Sequence, residues 1–244
     1  MKIVLFLLIF VLTVSAQFTD FGNYSKFFSF ENGVTTVMNF DGIDDFIALA
    51  DTIYYAGDYT VLFRMIFDSV DTTPHFFGHN GAGSNYIQYN SAGHFRVEGS
   101  TTGDYAILGV AVGGLGLEDD EWHDIGLRFD SLGVDTCLIT LYTDGDSVAV
   151  DTLFDDSLAI SYISAVATPL RELNGSMWDA RIYNSILTNT QIADYSAFKA
   201  IPTTTLIHRW LGYGTNANVD AGWVDQVGSS DGTVNGTPIN RSYK

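Results

Sequence analysis

The chain contains a single cysteine, Cys137, among its 244 residues, so no disulfide can form within it. Small extracellular domains without a sufficient core are usually held together by several disulfides. The scarcity of cysteine therefore indicates a domain whose apolar core is large enough to fold without them. Cys137 lies in the β-prone run Thr136–Leu141, where we expect it to be buried as a small apolar side chain.

Basic residues are also scarce. The sequence has 11 Lys and Arg against 29 Asp and Glu, which gives a formal net charge of −18. Binding to nucleic acid or to an anionic membrane surface needs clustered Lys and Arg, so this composition argues against both partners. The excess of acid favours solubility and, where carboxylates cluster, Ca²⁺.

Long apolar runs are missing after the N-terminus. Lys2 precedes the apolar run Ile3–Leu12, and the small residues Val14, Ser15 and Ala16 follow it. This order predicts a signal peptide over residues 1–17, with secretion or display at the cell surface. The alternative is an uncleaved N-terminal anchor, but the run is short for a membrane span. We expect no membrane insertion once the signal is cleaved.

Helical periodicity is rare, whereas short strand-like segments recur between Gly, Asn, Asp and Ser clusters. The pattern predicts an all-β antiparallel sandwich over residues 18–204. Residues 205–244 would supply its closing strands or begin a truncated second copy. Asp144-Gly145 predicts a hairpin across Cys137–Phe154, and Ser91-Ala92-Gly93 predicts another. Thr188 and Gln191 form a capping box, which predicts one short helix near 188–198 on the edge of the sandwich.

Four segments of the sequence form an ordered series. They are Phe40–Leu49 (FDGIDDFIAL), Trp122–Asp130 (WHDIGLRFD), Leu141–Val148 (LYTDGDSV) and Gly175–Tyr195 (GSMWDARIYNSILTNTQIADY). In this order they resemble the concanavalin A-like lectin/glucanase superfamily, specifically its laminin G-like, pentraxin-related domains. The resemblance covers about Thr35 to Ala197 and implies a two-sheet jelly-roll sandwich of concanavalin A-like architecture. Trp178 stands where the family pattern has a carboxylate, which weakens any cation site that depends on that position.

The first of these segments carries the candidate metal ligands. Asp41, Asp44 and Asp45 lie within one predicted turn, and closely spaced carboxylates can supply the oxygen ligands of Ca²⁺. Asp179 would join them if the first and last strands are neighbours, as the resemblance implies. The alternative is that these acids only shape the turn through side-chain-to-backbone hydrogen bonds. Ca²⁺ is the one cofactor that the sequence suggests.

The acidic run Glu118–Glu121 precedes the strand at Trp122. Retaining glucan hydrolysis needs two carboxyl groups about 5–5.5 Å apart, which alternate residues of one strand can provide. Reading from Glu118, Asp120 fits this spacing, but Trp122 or His123 occupies the next required position. The run therefore predicts a solvated loop, and the chain is predicted not to be an enzyme.

Polar side chains alternate with apolar ones on several predicted strands, which would give a sugar-binding surface if they share one sheet. The alternative is an ordinary solvated sheet face with cross-strand ion pairs. Aromatic rings beside the turns could stack on sugar rings. The candidate ligand-binding residues are Arg64, Arg96, Asp124, Arg128, Tyr86 and Trp178.

These features favour a secreted, non-catalytic module that binds a glycan or a surface glycoprotein with the help of Ca²⁺. The alternative is a structural or assembly protein of a cell surface, filament or virion, in which the chain would associate with itself. A glycoside hydrolase or lyase is a third hypothesis, which the interrupted carboxylate pattern disfavours.

Overall fold

The computed structural model describes residues 35–67, 73–81, 83–90, 92–99, 104–109, 114–155, 157–166, 172–211, 223–236 and 239–243. The predicted signal peptide and Ser91 of the second predicted hairpin lie outside these ranges. The secondary structure elements, in chain order, are β1 (Thr35–Asp41), β2 (Phe46–Ala56), β3 (Tyr59–Phe67), β4 (His75–Gly81), β5 (Gly83–Tyr89), β6 (Phe95–Glu98), β7 (Tyr105–Leu108), β8 (His123–Gly133), β9 (Thr136–Thr143), β10 (Asp146–Leu153), β11 (Ser157–Ile163), β12 (Asn174–Tyr183), α1 (Asn189–Ser196), β13 (Leu206–Leu211), β14 (Gly232–Asn235) and β15 (Ile239–Tyr243).

The strands form two antiparallel sheets, which confirms the predicted all-β sandwich. Sheet A has the order β10-β9-β8-β3-β12-β1-β15, and β13 also pairs with β12. Sheet B has the order β14-β2-β11-β4-β5-β6-β7. All the pairings between strands are antiparallel, which matches the many short strand signals with intervening turn residues.

The core lies between the sheets and follows from alternation along the strands. In β3, Val61, Phe63 and Met65 are buried in the main apolar cluster, where they meet the core residues of sheet B. Phe63, for example, lies against Phe76 and Phe77 of β4, with ring centroids 5.0 and 5.4 Å apart. Cys137 is fully buried in the same cluster, as the sequence predicts.

The predicted hairpin at Asp144-Gly145 is confirmed. β9 and β10 pair on either side of this dipeptide, with Asp146 opposite Thr143. Asp144 and Gly145 both have positive φ, +52° and +90°. Two consecutive residues with positive φ give a turn whose twist suits a two-residue hairpin, which is why an Asp-Gly pair is found here.

The C-terminal strands pair within the same two sheets. β13 lies beside β12, β14 beside β2, and β15 beside β1. Asp225 fixes the segment before β14, because its carboxylate accepts hydrogen bonds from the backbone N–H groups of Arg209, Gly228 and Ser230. The segment from Leu206 therefore completes this sandwich in the residues that the structure describes.

Helix α1 begins at the predicted capping box. Thr188 accepts a hydrogen bond from the Gln191 backbone N–H, and the Gln191 side chain accepts one from the Thr188 N–H. The predicted position at the sandwich edge is wrong. Ile192 and Tyr195 pack on Leu62 and Tyr142, which belong to strands inside sheet A, because the outer face of this sheet carries apolar side chains there.

The sequence did not indicate β11, whereas β14 and β15 lie in residues 205–244, where closing strands or a truncated second copy were expected. No helix in the described part of the chain combines the length and apolar character needed to cross a membrane.

Candidate functional site

The turn between β1 and β2 brings three carboxylates together. One oxygen of each of Asp41, Asp44 and Asp45 lies within 4.8 Å of the others. Gly42, at φ +73°, lets the chain turn sharply between them. The same acids also shape the turn, since Asp41 Oδ1 accepts from the Ile43 N–H at 2.8 Å and Asp45 Oδ2 accepts from the Asp41 N–H at 2.9 Å. Both interpretations of this turn are therefore compatible with the structure.

A fourth carboxylate, which the sequence does not indicate, lies near this group, close enough to be affected by its charges. Glu172 is 1% exposed, and its Oε1 has no hydrogen-bond partner. Burial raises the pKa of Glu172, and the negative charges of Asp41, Asp44 and Asp45 raise it further. A buried carboxylate oxygen without a partner is costly unless a cation or a proton compensates it. The three aspartates of the turn therefore fit a Ca²⁺ site by the chemistry of their donors, and Glu172 is close enough to be affected by their charges.

Asp179 does not join this group, so that part of the prediction is wrong. It lies on β12 five residues beyond Asn174, the residue that pairs with Asp41 of β1. Its carboxylate instead accepts from Arg181 at 2.5 and 2.9 Å and from Arg209 at 3.2 Å. Two arginines hold it within sheet A.

The predicted ligand-binding residues do not share one sheet. Arg64 of β3, Asp124 and Arg128 of β8, and Trp178 of β12 belong to sheet A. The other two, Tyr86 of β5 and Arg96 of β6, belong to sheet B. The premise of a single arginine-rich face is therefore wrong, and each sheet must be considered separately.

On sheet A, Arg64 and Asp124 form a buried ion pair. The Nε–Oδ1 and Nη2–Oδ2 distances are 2.5 and 3.0 Å, and the two residues are 2% and 3% exposed. The Phe198 ring lies 3.7 Å from the guanidinium carbon, and the Trp178 and Tyr195 rings lie at 5.2 and 5.0 Å. Burial raises the pKa of Asp124 to about 6, although Arg64 opposes this shift. This covered pair connects α1 to the sheet, and the prediction that it faces a ligand is wrong.

Arg128 also contacts helix α1. Its guanidinium donates to Asp130 Oδ2 at 3.0 Å and to Asn189 Oδ1 at 2.9 Å. Tyr142 donates to the same Asn189 oxygen at 2.7 Å. The polar residues of this part of sheet A therefore hold the first turn of the helix.

The outer side of sheet B carries a different arrangement, which we call the Arg96 group: Tyr86, Arg96, Glu98 and Tyr105. The alternate residues Ile87 and Val97 lie in the core, so these side chains point away from it. Glu98 Oε2 accepts from Arg96 at 2.7 Å and from the Tyr86 hydroxyl. The guanidinium carbon lies 4.0 Å from the centre of the Tyr105 ring, which is 46% exposed. A fixed cation and an exposed aromatic ring thus lie together at the surface.

The acidic run Glu118–Glu121 is exposed at all four positions. Asp119 and Asp144 both bond the His123 ring, at 3.0 Å to Nε2 and 2.9 Å to Nδ1. Burial lowers the pKa of His123, but the hydrogen bonds and charges of Asp144 and Asp119 outweigh it, so the pKa is raised. The run thus holds the start of β8, a role that its residue types do not reveal.

Comparison with known proteins agrees with this architecture. A laminin G-type family model, described as the concanavalin A-like lectin/glucanases superfamily, matches residues 41–193 and confirms the resemblance. A search of curated proteins finds no match.

Several solved structures are similar to this chain. A candidate carbohydrate-binding protein from Bacteroides ovatus superimposes with a TM-score of 0.59 at 16% identity, over 84% of this chain. The chain spans 61% of the length of that structure. A heptameric SAP-like pentraxin from Limulus polyphemus gives 0.45 at 13% identity, over 66% of this chain and 82% of the pentraxin. The LG1–3 region of the laminin alpha2 chain gives 0.42 at 11% identity, over 61% and 28% respectively. At 16% identity the likeness to the Bacteroides structure concerns the fold alone.

Proposed function

We propose, since this chain belongs to the concanavalin A-like lectin/glucanase superfamily, that it is a secreted, non-catalytic module that binds carbohydrate or a surface glycoprotein. The observation that carries the proposal is the Arg96 group. Its charged side chain is held in place by Glu98, and its Tyr105 ring is half exposed. Aromatic rings and fixed polar groups are what a sugar needs for stacking and hydrogen bonding. The Bacteroides structure, which covers most of this chain, is described as a candidate carbohydrate-binding protein, in line with this proposal.

A glycan array tests this function. The protein without residues 1–17, fluorescently labelled, is applied in buffer containing Ca²⁺ and again with a chelator. We expect binding to a restricted set of glycans, with weaker signals for the Tyr105→Ala variant. Uniform silence of the wild-type protein on glycans and on extracellular matrix proteins would contradict the proposal.

Calcium assistance is the finer part of the proposal. Asp41, Asp44, Asp45 and Glu172 would hold the ion, which would neutralise their mutual repulsion and stabilise the β1–β2 turn. The closeness of the three aspartates and the unpaired Glu172 oxygen support this assignment. The electrostatic effect of the three aspartates on Glu172 supports it as well.

Calorimetric titration with CaCl₂ tests the ion site. We expect one bound ion in the wild-type protein and at least a tenfold weaker affinity for Glu172→Gln, because one carboxylate charge is lost. Glu121→Gln is the matched control, since Glu121 is an exposed acid elsewhere on the surface. Absence of binding heat and of any thermal stabilisation by Ca²⁺ would favour the interpretation of these acids as turn-forming residues only.

Self-association belongs to the alternative assembly function. β14 and β15 are the terminal strands of sheets B and A in the described order. Terminal strands can pair with a neighbouring molecule through their backbone groups. Sedimentation equilibrium at high protein concentration decides this point, and a strict monomer would argue against the assembly function.

A further inference from the structure

Three neighbouring strands of sheet B bring a row of polar side chains together. Thr52 of β2 lies 2.8 Å from Ser161 of β11, between their hydroxyl oxygens. The Ser161 hydroxyl lies 2.6 Å from Nδ1 of His79, on β4. All three residues are partly exposed. Each hydroxyl retains capacity for a further hydrogen bond, and within the described residues Nε2 of His79 has no partner.

An exposed aromatic ring stands beside this row. Tyr54 is 74% exposed, and its ring centroid lies 6.2 Å from that of His79 at an angle of 64°. Its neighbours Ile53 and Tyr55 are buried in the core, so alternation along β2 holds Tyr54 outward. In the strand register Tyr54 is opposite Ala159, a small residue that leaves room beside the ring. Hydrogen-bonding groups next to an open ring match the two faces of a sugar, one polar and one apolar.

The charges on the molecule decide which class of sugar fits. Six of the Lys and Arg side chains are already paired with a carboxylate. The pairs are Arg64–Asp124, Arg96–Glu98, Arg128–Asp130, Arg181–Asp179, Lys199–Asp194 and Arg209–Asp179. A sialic or uronic acid would therefore find no uncompensated cation among these side chains. It would also meet a chain of net charge −18.

We infer that Tyr54, with Thr52, Ser161 and His79, forms a subsite for a neutral, hydroxyl-rich sugar. Tyr54 stacks on the apolar face of the sugar ring, and the hydroxyls of Thr52 and Ser161 with Nε2 of His79 bond its hydroxyl groups. This inference rests on the proposed carbohydrate-binding function and names its ligand class and one place of contact.

This subsite is separate from the candidate ion site. Both lie on the chain of β2, but Asp44 precedes the strand and Tyr54 is near its end, roughly 30 Å apart along an extended strand. Replacing Tyr54 should therefore weaken sugar binding without changing the affinity for Ca²⁺.

The experiment is calorimetric titration with neutral oligosaccharides (cello-, manno- and galacto-oligosaccharides) and with sialyllactose and oligogalacturonate. The variants are Tyr54→Ala, Tyr54→Phe and Ser161→Ala. Phe154→Ala is the control, because Phe154 is another exposed aromatic residue, 66% exposed, after β10. The thermal unfolding midpoint and the Ca²⁺ affinity of each variant are measured in parallel, which separates a local loss from misfolding.

We expect at least one neutral series to bind the wild-type protein and the acidic sugars to bind at least tenfold more weakly. Tyr54→Ala should lose about tenfold in affinity, while Tyr54→Phe and Phe154→Ala should stay within about threefold of the wild-type protein. Binding of a neutral sugar that is unchanged in Tyr54→Ala would overturn the subsite while leaving the proposed function intact. Preference for the acidic sugars would overturn the ligand class, and no binding of any glycan would overturn both proposals.

Discussion

Arg64 and Arg96 both lie on strands and make the same kinds of contact, but they differ in how far their side chains are exposed to solvent. Each pairs with a carboxylate, Asp124 across the sheet for Arg64 and Glu98 on the same strand for Arg96. Each guanidinium also lies close to aromatic rings. The Arg64 side chain is 3% exposed, whereas that of Arg96 is 30% exposed.

The difference comes from the helix. Tyr195 of α1 and Phe198, which follows the helix, lie over Arg64. No helix lies over Arg96 in the described residues, and the ring nearest to its guanidinium is that of Tyr105. An arginine beside an acid and aromatic rings is thus a structural clamp on sheet A and a surface group on sheet B. Residue type does not decide between these roles; what packs above the residue does.

The largest loss of stability should come from breaking the buried ion pair between Arg64 and Asp124. Asp124→Asn would leave Arg64 buried without its counter-charge, and we expect it to lower the free energy of unfolding by about 3–5 kcal/mol. Glu98→Gln on sheet B should cost about 1 kcal/mol, since Arg96 can turn toward water. Urea denaturation of both variants measures this contrast.

The double variant Arg64→Met/Asp124→Leu sharpens the result, because replacing both members of a buried pair by apolar residues is often close to neutral. It should be more stable than Asp124→Asn alone. Equal losses for Asp124→Asn and Glu98→Gln would mean that the helix does not isolate Arg64 from solvent.

A smaller loss of stability should come from removing the side chain that packs helix α1 against sheet A. Ile192 is 1% exposed and packs on sheet A in the cluster with Leu62 and Tyr142. Ile192→Ala should lower the free energy of unfolding by about 2–4 kcal/mol through lost burial and the cavity left behind. Ala193→Ser, at an exposed position of the same helix, should stay within about 0.5 kcal/mol. If Ile192→Ala is as mild as its control, α1 contributes little to covering Arg64.

The smallest effect on stability should come from a change of pH. His123, next to Asp124 on β8, has a raised pKa because Asp144 and Asp119 outweigh the effect of burial. A group whose pKa is higher in the folded state stabilises the fold fully below its unfolded pKa, about 6.5. This contribution is lost as the pH rises through the higher folded value.

We therefore expect a loss of about 1 kcal/mol or less in unfolding free energy as the pH rises above about 6.5. His123→Gln should remove this part of the pH dependence and leave other slopes unchanged. Denaturation curves across the neutral range provide the measurement, and a His123→Gln profile identical to the wild-type profile would contradict the assignment.

Local features of the fold were predictable because local residues determine them. Asp144-Gly145 carries the conformations that its hairpin needs, and Thr188 and Gln191 contain the whole capping box. β11 was missed although Leu158 and Ile160 alternate, and β14 has only four residues, Gly-Thr-Val-Asn, which is too short to show a clear alternation.

The candidate sites were less predictable because they depend on distant contacts. Alternation identified Arg64 on β3 and Asp124 on β8 as polar residues among apolar neighbours, but it carries no information about what covers them. Glu172 approaches Asp41 only because β12 pairs with β1, a register between residues more than 130 positions apart. Its sequence neighbourhood gave no sign of an acidic cluster.

Hydrogen–deuterium exchange measured with and without a saturating neutral oligosaccharide is the most direct test of the difference between the two faces. We expect slower exchange in sheet B, at the backbone around Thr52–Tyr54 and Ser161, and unchanged exchange in β3, β8 and α1. Protection concentrated on α1 and the strands beneath it, with none in β2 or β11, would contradict this expectation.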